Sequence, residues 1–165
     1  VGKVDINPGY RNNAVELGKI TATIDSVRND ADITLNTVSI KGFASPEGSY
    51  GTNENLAKNR TEELKLYVQN LYEFAPDFIN TSFEPEDWNG LRAYVESSEL
   101  PNKNNILALI DGDRAPDNKE WLIKTTYPDD YNIMFKECYP GLRRSDYRVE
   151  YTIRQSYARR RRIRP

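Results

Sequence analysis

A strand-like end, a tight polar loop and a long helix follow one another between residues 40 and 67, in the sequence IKGFASPEGSYGTNENLAKNRTEELKLY. Apolar residues recur in the helical part at intervals of three and four, the spacing that lines one face of an α-helix. Arg60 falls on that face, one turn from Leu56 and one turn from Leu64. The pattern therefore predicts an arginine on the inner side of a helix, close to the preceding loop. The predicted apolar face comprises Leu56, Ala57, Leu64, Tyr67, Val68 and Leu71.

A charged side chain on an apolar face needs a partner. The loop Ser45-Pro46-Glu47-Gly48-Ser49 supplies two hydroxyls and one carboxylate, and it leads into a helix N-terminus whose backbone N–H groups favour anions. One interpretation is a small anionic or zwitterionic ligand held between the loop, the helix N-terminus and Arg60. The other is an ion pair between Arg60 and Glu47 that only pins the loop.

Composition fits one domain with an ordinary core: 165 residues, 38% of them hydrophobic, with a mean hydropathy of -0.77. The longest apolar runs are only a few residues, far below the roughly 20 residues that cross a bilayer. The sequence has no initiator Met and no signal-peptide pattern. We expect a mature chain, or a domain cut from a longer one, with no transmembrane segment in this piece.

The chain has no histidine and one cysteine, Cys138. It therefore lacks the commonest general base and the usual ligands of a zinc site, and we expect no cofactor and no metal. Cys138 shares helical spacing with Tyr131, Met134 and Phe135, which predicts a packing role. A hydrolase would need paired carboxylates, and Glu84-Pro85-Glu86-Asp87 is better interpreted as a turn and a helix cap. The sequence predicts a protein that is not an enzyme.

Strand and helix patterns alternate in the first half of the chain. Strands are predicted near residues 4–6, 33–42, 78–83 and 147–153, with helices after the first two. Further helices are predicted at about 88–98, 106–110, 118–126 and 129–139, the last one terminated by Pro140-Gly141. Strands that are joined through a helix pair most easily in parallel. This order predicts an α+β fold.

Several of these segments resemble the OmpA-like C-terminal domain, the peptidoglycan-associating module of many Gram-negative envelope proteins. That family reads roughly Gly-His-Thr-Asp-x-x-Gly, then Tyr-Asn-x-x-Leu-Ser-x-x-Arg-Ala, and later Asn-Arg-Arg-Val. The corresponding segments here are GFASPEG at 42–48, NENLAKNRT at 53–61 and DYRV at 146–149, and the opening VDINPGYRNNAVELGKI is also similar. The resemblance covers about residues 1–72 and 144–154. The Ser-Pro-Glu-Gly loop, with WNGL at 88–91, looks like the version common in Bacteroidetes envelope proteins.

The resemblance implies an α+β domain over residues 1–154, with a βαβαβ core whose mixed sheet is packed by helices. It also implies that helices have been inserted at about 84–143, before the last strand, and that residues 155–165 form a basic tail. The implied function is non-catalytic binding of peptidoglycan through the diaminopimelate stem peptide. The implied location is periplasmic, with attachment to the outer membrane through parts not in this chain.

The resemblance also implies a ligand-binding set, which comprises Ser45, Glu47, Gly48, Asn53, Arg60 and Arg148. Arg60 matches the family's arginine, Arg148 is expected near the pocket mouth, and Leu56 is expected to pack. The family's aspartate is replaced by Ser45, and a hydroxyl cannot supply the countercharge for the ligand's ammonium. Either Glu47 reaches back as the ammonium partner, or the pocket is retuned or closed and the domain is a scaffold for protein–protein interaction or envelope assembly.

The helical insertion (84–143) carries seven aromatic residues that either pack a small helical layer or present a surface to an envelope protein partner: Trp88, Tyr94, Trp121, Tyr127, Tyr131, Phe135 and Tyr139. Asp111-Gly112-Asp113 suggests calcium, but the glycine and glutamate positions of an EF-hand loop are missing, so a solvated loop is expected.

The tail contains five arginines between residues 159 and 164, and removing them would take the formal net charge from -2 to -7. The acidic body and the lack of interleaved aromatic residues argue against nucleic acid as a partner. A flexible terminus, a link to a further domain or a contact with an anionic envelope surface fits this tail better.

Overall fold

The computed structural model describes residues 2–6 and 13–154, with side chains described from residue 18 onward, so the arginine-rich tail lies outside the described residues. The strands are β1 (Gly2–Ile6), β2 (Ile33–Phe43), β3 (Ile79–Glu84) and β4 (Ser145–Ile153). Helices α1 (Asn13–Asn29) and α2 (Tyr50–Tyr72) precede β3. Between β3 and β4 come α3 (Trp88–Ser97), α4 (Lys103–Asp111), α5 (Pro116–Thr126), α6 (Pro128–Glu137) and α7 (Tyr139–Leu142).

The four strands form one mixed sheet in the order β1-β4-β2-β3. β2 and β3 are parallel, with Val38 opposite Ile79, whereas β4 is antiparallel to both β1 and β2. The predicted α+β fold with a mixed sheet packed by helices is therefore confirmed. The parallel pairing expected across a connecting helix holds for β2 and β3, but β1 and β2 do not pair because β4 lies between them.

Helices α1 and α2 cover one face of the sheet, where Ile20 and Ile24 of α1 and Val68 of α2 are fully buried against Val38 and Val149. The alternating residues of each strand point to the opposite face, which is polar and includes Ser39, Lys41 and Arg148. No helix among the described residues is both long enough and apolar enough to cross a membrane.

Helix α2 is rotated relative to the predicted apolar face. Leu56, Tyr67 and Leu71 are 52%, 48% and 51% exposed, whereas Asn53 and Thr61 are buried together with Ala57 and Val68. A Cβ on Gly42 would clash with the hydroxyl of Thr61, so the absence of a side chain there allows helix and strand to approach closely. The expectation that Leu56 packs inside was wrong, because the close contact turns Ala57 and Thr61 toward the sheet.

The helical insertion has a hydrophobic cluster of its own, separate from the cluster under α1 and α2. The predicted helical layer is confirmed for Tyr131 and Tyr139, which are buried, while Trp121 and Phe135 are exposed. Cys138 packs in this cluster as predicted, and burial raises the pKa of its thiol to about 12. α6 ends at Glu137 with Cys138 as its C-cap, two residues before Pro140, so the predicted end of this helix is confirmed to within two residues. Pro140 and Gly141 then lie in the short helix α7, because a proline in the first turn needs no intrahelical N–H bond.

Candidate functional site

The loop between β2 and α2 is shaped by its last residues. Gly48 has a φ of 78°, in the left-handed region that glycine adopts without a steric penalty. Ser49 caps α2, because its hydroxyl accepts from the backbone N–H of Thr52 at 3.2 Å. The two residues fix the path of the loop so that Ser45 and Glu47 face the helical insertion.

Arg143, from the segment before β4, contacts both polar side chains of this loop. Its Nε donates to Ser45 Oγ at 2.9 Å, and Ser45 is only 2% exposed. Its Nη2 forms an ion pair with the Glu47 carboxylate. Arg60 Nη1 donates to the backbone carbonyl of Phe43 at 3.2 Å, at the end of β2. The carboxylate of Glu47 is thus paired with an arginine that lies outside the predicted ligand-binding set.

Asn53 connects the loop to the start of the helical insertion. Its Nδ2 donates to the carbonyl of Glu47 at 2.8 Å and to Glu86 Oε2 at 2.6 Å. The other carboxylate oxygen of Glu86 accepts from Trp88 Nε1 at 2.9 Å. Burial raises the pKa of Glu86, while the two donors oppose that shift by stabilising the carboxylate. Asn53 is therefore a buried structural link between loop and insertion.

Asp87 performs two tasks at the same junction. One oxygen caps α3 by accepting from the N–H of Gly90 at 3.0 Å, as the sequence predicted. The other forms an ion pair with Arg144, whose guanidinium lies 4.1 Å from the ring centre of Phe43. The Asp87 backbone N–H also donates to the carbonyl of Ala44 at 3.0 Å. These contacts join the insertion to the end of β2.

Glu120 is a buried carboxylate in the core of the insertion. It accepts hydrogen bonds from the hydroxyls of Tyr131 at 2.5 Å and Tyr139 at 2.7 Å. Burial raises the pKa of Glu120, and burial together with the neighbouring carboxylate raises the pKa of both tyrosines. Asp117 Oδ1 accepts a hydrogen bond from the backbone N–H of Tyr50 at 2.9 Å. This bond links α5 to the first residue of α2.

Arg148 lies on β4 opposite Ser39 of β2, on the polar face of the sheet. It lines an open cavity of about 500 Å³ together with Lys41, Asp146 and Glu150. The structure therefore brings Ser45, Glu47, Gly48 and Asn53 together in the loop, has Arg60 donate to the end of β2, and positions Arg148 on the sheet face opposite α2.

Four residues outside the predicted set contact the loop or the residues that flank it. Arg143 contacts Ser45 and Glu47 in the loop, while Glu86, Asp87 and Arg144 contact Asn53, Ala44 and Phe43, respectively. The adjacent arginines just before the last strand were a signal, since two neighbouring cations in a short connection need acidic partners.

Among the described residues, no group of three His, Cys, Asp or Glu side chains could hold a metal ion. Asp111, which belongs to the Asp111-Gly112-Asp113 segment considered for calcium, forms an ion pair in which Arg92 Nε lies 2.7 Å from Asp111 Oδ1.

No protein-family model matches this sequence, and no curated protein matches it.

Proposed function

We propose that this chain is a non-catalytic module of a Gram-negative cell envelope, located in the periplasm, that serves as a scaffold for protein–protein interaction or envelope assembly. The resemblance to OmpA-like domains supports the location. The observation that carries the scaffold role is the contact of Arg143 with both Ser45 and Glu47. The loop that would take a ligand is held by the protein's own side chains.

The charges around the loop oppose the entry of a cationic group. In OmpA-like domains, the position that corresponds to Ser45 holds an acidic residue that pairs with the ammonium of diaminopimelate. Glu47 is the residue of this chain that could take over that pairing. Arg143 contributes a cation to both of these groups, with side-chain exposures of only 21% for Arg143 and 33% for Glu47. An incoming ammonium would have to displace a hydrogen-bonded guanidinium from a partly desolvated pair, which is costly.

Two of the carboxylates with raised pKa values, Glu86 and Glu120, do not favour an enzyme. Glu86 and Glu120 are 6% and 7% exposed, and each accepts two hydrogen bonds from neighbouring side chains. A general acid or base must reach a substrate proton. Both side chains instead stabilise the junction and the core of the insertion.

Exposed aromatic residues on the insertion favour the interaction role. Trp121 is 59% exposed and Phe135 is 42% exposed, although both belong to helices whose other faces are buried. Large aromatic side chains are enriched at protein interfaces. A photo-cross-linking residue at position 121 should give a defined protein adduct in cells. The same residue at Thr126, which is exposed and turned about 140° around the helix from Trp121, is the control and should not give that adduct.

Peptidoglycan binding is the second candidate, favoured by the position of Arg60 beside the loop and by the part of Glu47 that remains exposed. Calorimetric titration with a diaminopimelate-containing muropeptide separates the two. The scaffold proposal expects no saturable binding at millimolar ligand. Binding that is lost in Arg60→Ala and kept in Arg114→Ala, an exposed control, would replace it with the peptidoglycan function.

A further inference from the structure

One side of α2 carries three exposed apolar residues, with Arg60 and Glu63 between them. We call Leu56, Tyr67 and Leu71 the outer stripe; each is about half exposed, at 52%, 48% and 51%. The next residue, Tyr72, is turned about 100° around the helix, and its hydroxyl donates to the carbonyl of Thr21 on α1 at 3.0 Å. The outer stripe therefore lies on the side of α2 that faces away from α1, above the β3 side of the sheet.

β3 is an edge strand. It pairs with β2 on one side, and no described residue pairs with its other side. On the helix-covered face of β3, Phe83 is 37% exposed. Unpaired backbone N–H and C=O groups on an edge are a template for another strand. The exposed edge and the outer stripe together form one continuous surface of unpaired backbone and apolar side chains.

We propose that two copies of this chain associate through this surface, with β3 antiparallel to β3 of the second copy and the two outer stripes in contact. The spacing supports a second copy as the occupant. α2 packs against both β2 and β3. Its axis therefore lies above the gap between the two strands, displaced from β3 toward β2 by about half a strand spacing, roughly 2.4 Å. Pairing the two edges at about 4.8 Å then separates the two α2 axes by about 10 Å, close to the distance of packed helices.

The registers of strand and helix also agree. Gly42 is opposite Phe83 and lies against Ala57 and Thr61. Because α2 runs antiparallel to β3, moving about 7 Å along β3 from Phe83 to Thr81 corresponds to about four residues of helix. The middle of β3 is therefore level with residues 63 and 64. A two-fold axis at Thr81 would pass close to the middle of the outer stripe.

The apolar pairs generated by that axis are complementary, whereas Glu63 lies next to Glu63 of the second copy, which weakens the association at neutral pH. On the helices, Leu56 lies opposite Leu71 of the second copy, and position 60 lies opposite Tyr67 of the second copy. On the strands, Ile79 lies opposite Phe83 of the second copy, which is an apolar pair on the helix-covered face. In both the helix pair and the strand pair, a surface of one copy contacts the same surface of the other copy, as a two-fold interface requires.

The surface is about 24 Å long, the length of residues 56–71 of α2, and about 20 Å high across helix and strand. It would bury about 500 Å² per copy, which lies between crystal contacts and stable standard-size interfaces. We therefore expect a reversible dimer. This inference does not depend on what the loop around Ser45 binds.

Sedimentation velocity over a concentration series tests the dimer. The wild type should shift from monomer to dimer as concentration rises. Leu71→Arg should remain monomeric, because it places a charge opposite Leu56. Leu66→Arg is the matched control and should dimerise like the wild type, since Leu66 is equally exposed at 52% but is turned about 100° around the helix from Tyr67. A wild type that stays monomeric at millimolar concentration would overturn the proposal, as would a Leu71→Arg dimer of unchanged affinity.

Disulfide trapping gives a second measurement that does not depend on affinity. In a Cys138→Ser background, Glu63→Cys lies close to the two-fold axis and should form a covalent dimer under oxidising conditions. Leu66→Cys should not. Equal cross-linking of the two variants, or none in Glu63→Cys, would contradict the arrangement.

Discussion

Arg143 Nε donates to the hydroxyl of Ser45 at 2.9 Å and so joins two residues that are 98 positions apart in the sequence. The same guanidinium pairs with Glu47, so one side chain connects the segment before β4 to the loop before α2. The loop is held to the insertion mainly by polar contacts, because the two hydrophobic clusters are separate.

Replacing Arg143 with Gln should loosen this loop without unfolding the protein. We expect a loss of about 1 kcal/mol, since the pair is partly solvent-screened, and faster hydrogen exchange at the backbone amides of residues 45–48. Hydrogen-exchange mass spectrometry and thermal unfolding measure the two effects. Arg114→Gln is the control, because Arg114 is exposed and donates locally to Asn118 on α5. Unchanged exchange in the Arg143 variant would show that the contact does not order the loop.

Gly48→Ala and Gly51→Ala should have opposite effects on stability. Gly48 has a φ of 78°, where alanine is strained, so its replacement should cost about 1 kcal/mol. Gly51 lies in the first turn of α2, and no neighbouring atom stands within 4 Å of the place an alanine Cβ would take. Alanine there should stabilise the protein by up to about 1 kcal/mol. Urea denaturation of both variants measures the difference, and destabilisation by Gly51→Ala would contradict the open space at that position.

Asp87→Ala should be among the more damaging substitutions at the junction. It removes the cap of α3 and leaves Arg144 paired with Asp146 alone among the described acidic residues. The Asp87 side chain is only 4% exposed, so we expect a loss of about 2–4 kcal/mol. Asp87→Asn keeps an acceptor for the Gly90 N–H and should lose less. Equal losses in the two variants would show that the ion pair, and not the cap, dominates.

Glu120 should make the protein more stable at mildly acidic pH than at neutral pH. Burial raises its pKa in the folded state, so the folded state binds a proton more tightly than the unfolded chain does. Its contribution to the free energy of unfolding therefore falls as pH rises from the ordinary glutamate pKa through the raised one. Glu120→Gln removes this dependence. On acidification, the unfolding free energy of the wild type should rise relative to that of Glu120→Gln. A relative fall would contradict the raised pKa of Glu120.

The order of strands and helices could be predicted because each element carries its own period of apolar residues. The buried side of α2 could not, since a period of 3.6 residues does not show where a helix meets its sheet. Asn53 is buried by its contact with Glu86, which is 33 residues away in the sequence, and Thr61 is buried because Gly42 leaves space for it. Neither contact can be recognised from the local pattern of α2. The adjacent arginines 143 and 144 indicate that acidic partners are needed, but no local pattern identifies Glu47 as the partner of Arg143, because the two are 96 positions apart.

The position of β4 has a consequence for how the chain is made. β4 lies between β1 and β2, yet it is synthesised after every other described element. Until β4 is present, β1 has no neighbour among the described strands and β2 can pair only with β3. The helices of the insertion contact one another over short sequence distances and can assemble early. The sheet closes only when β4 is present, so a chain that stops before residue 145 would leave open the two strand edges, one on β1 and one on β2, that β4 covers in the folded protein.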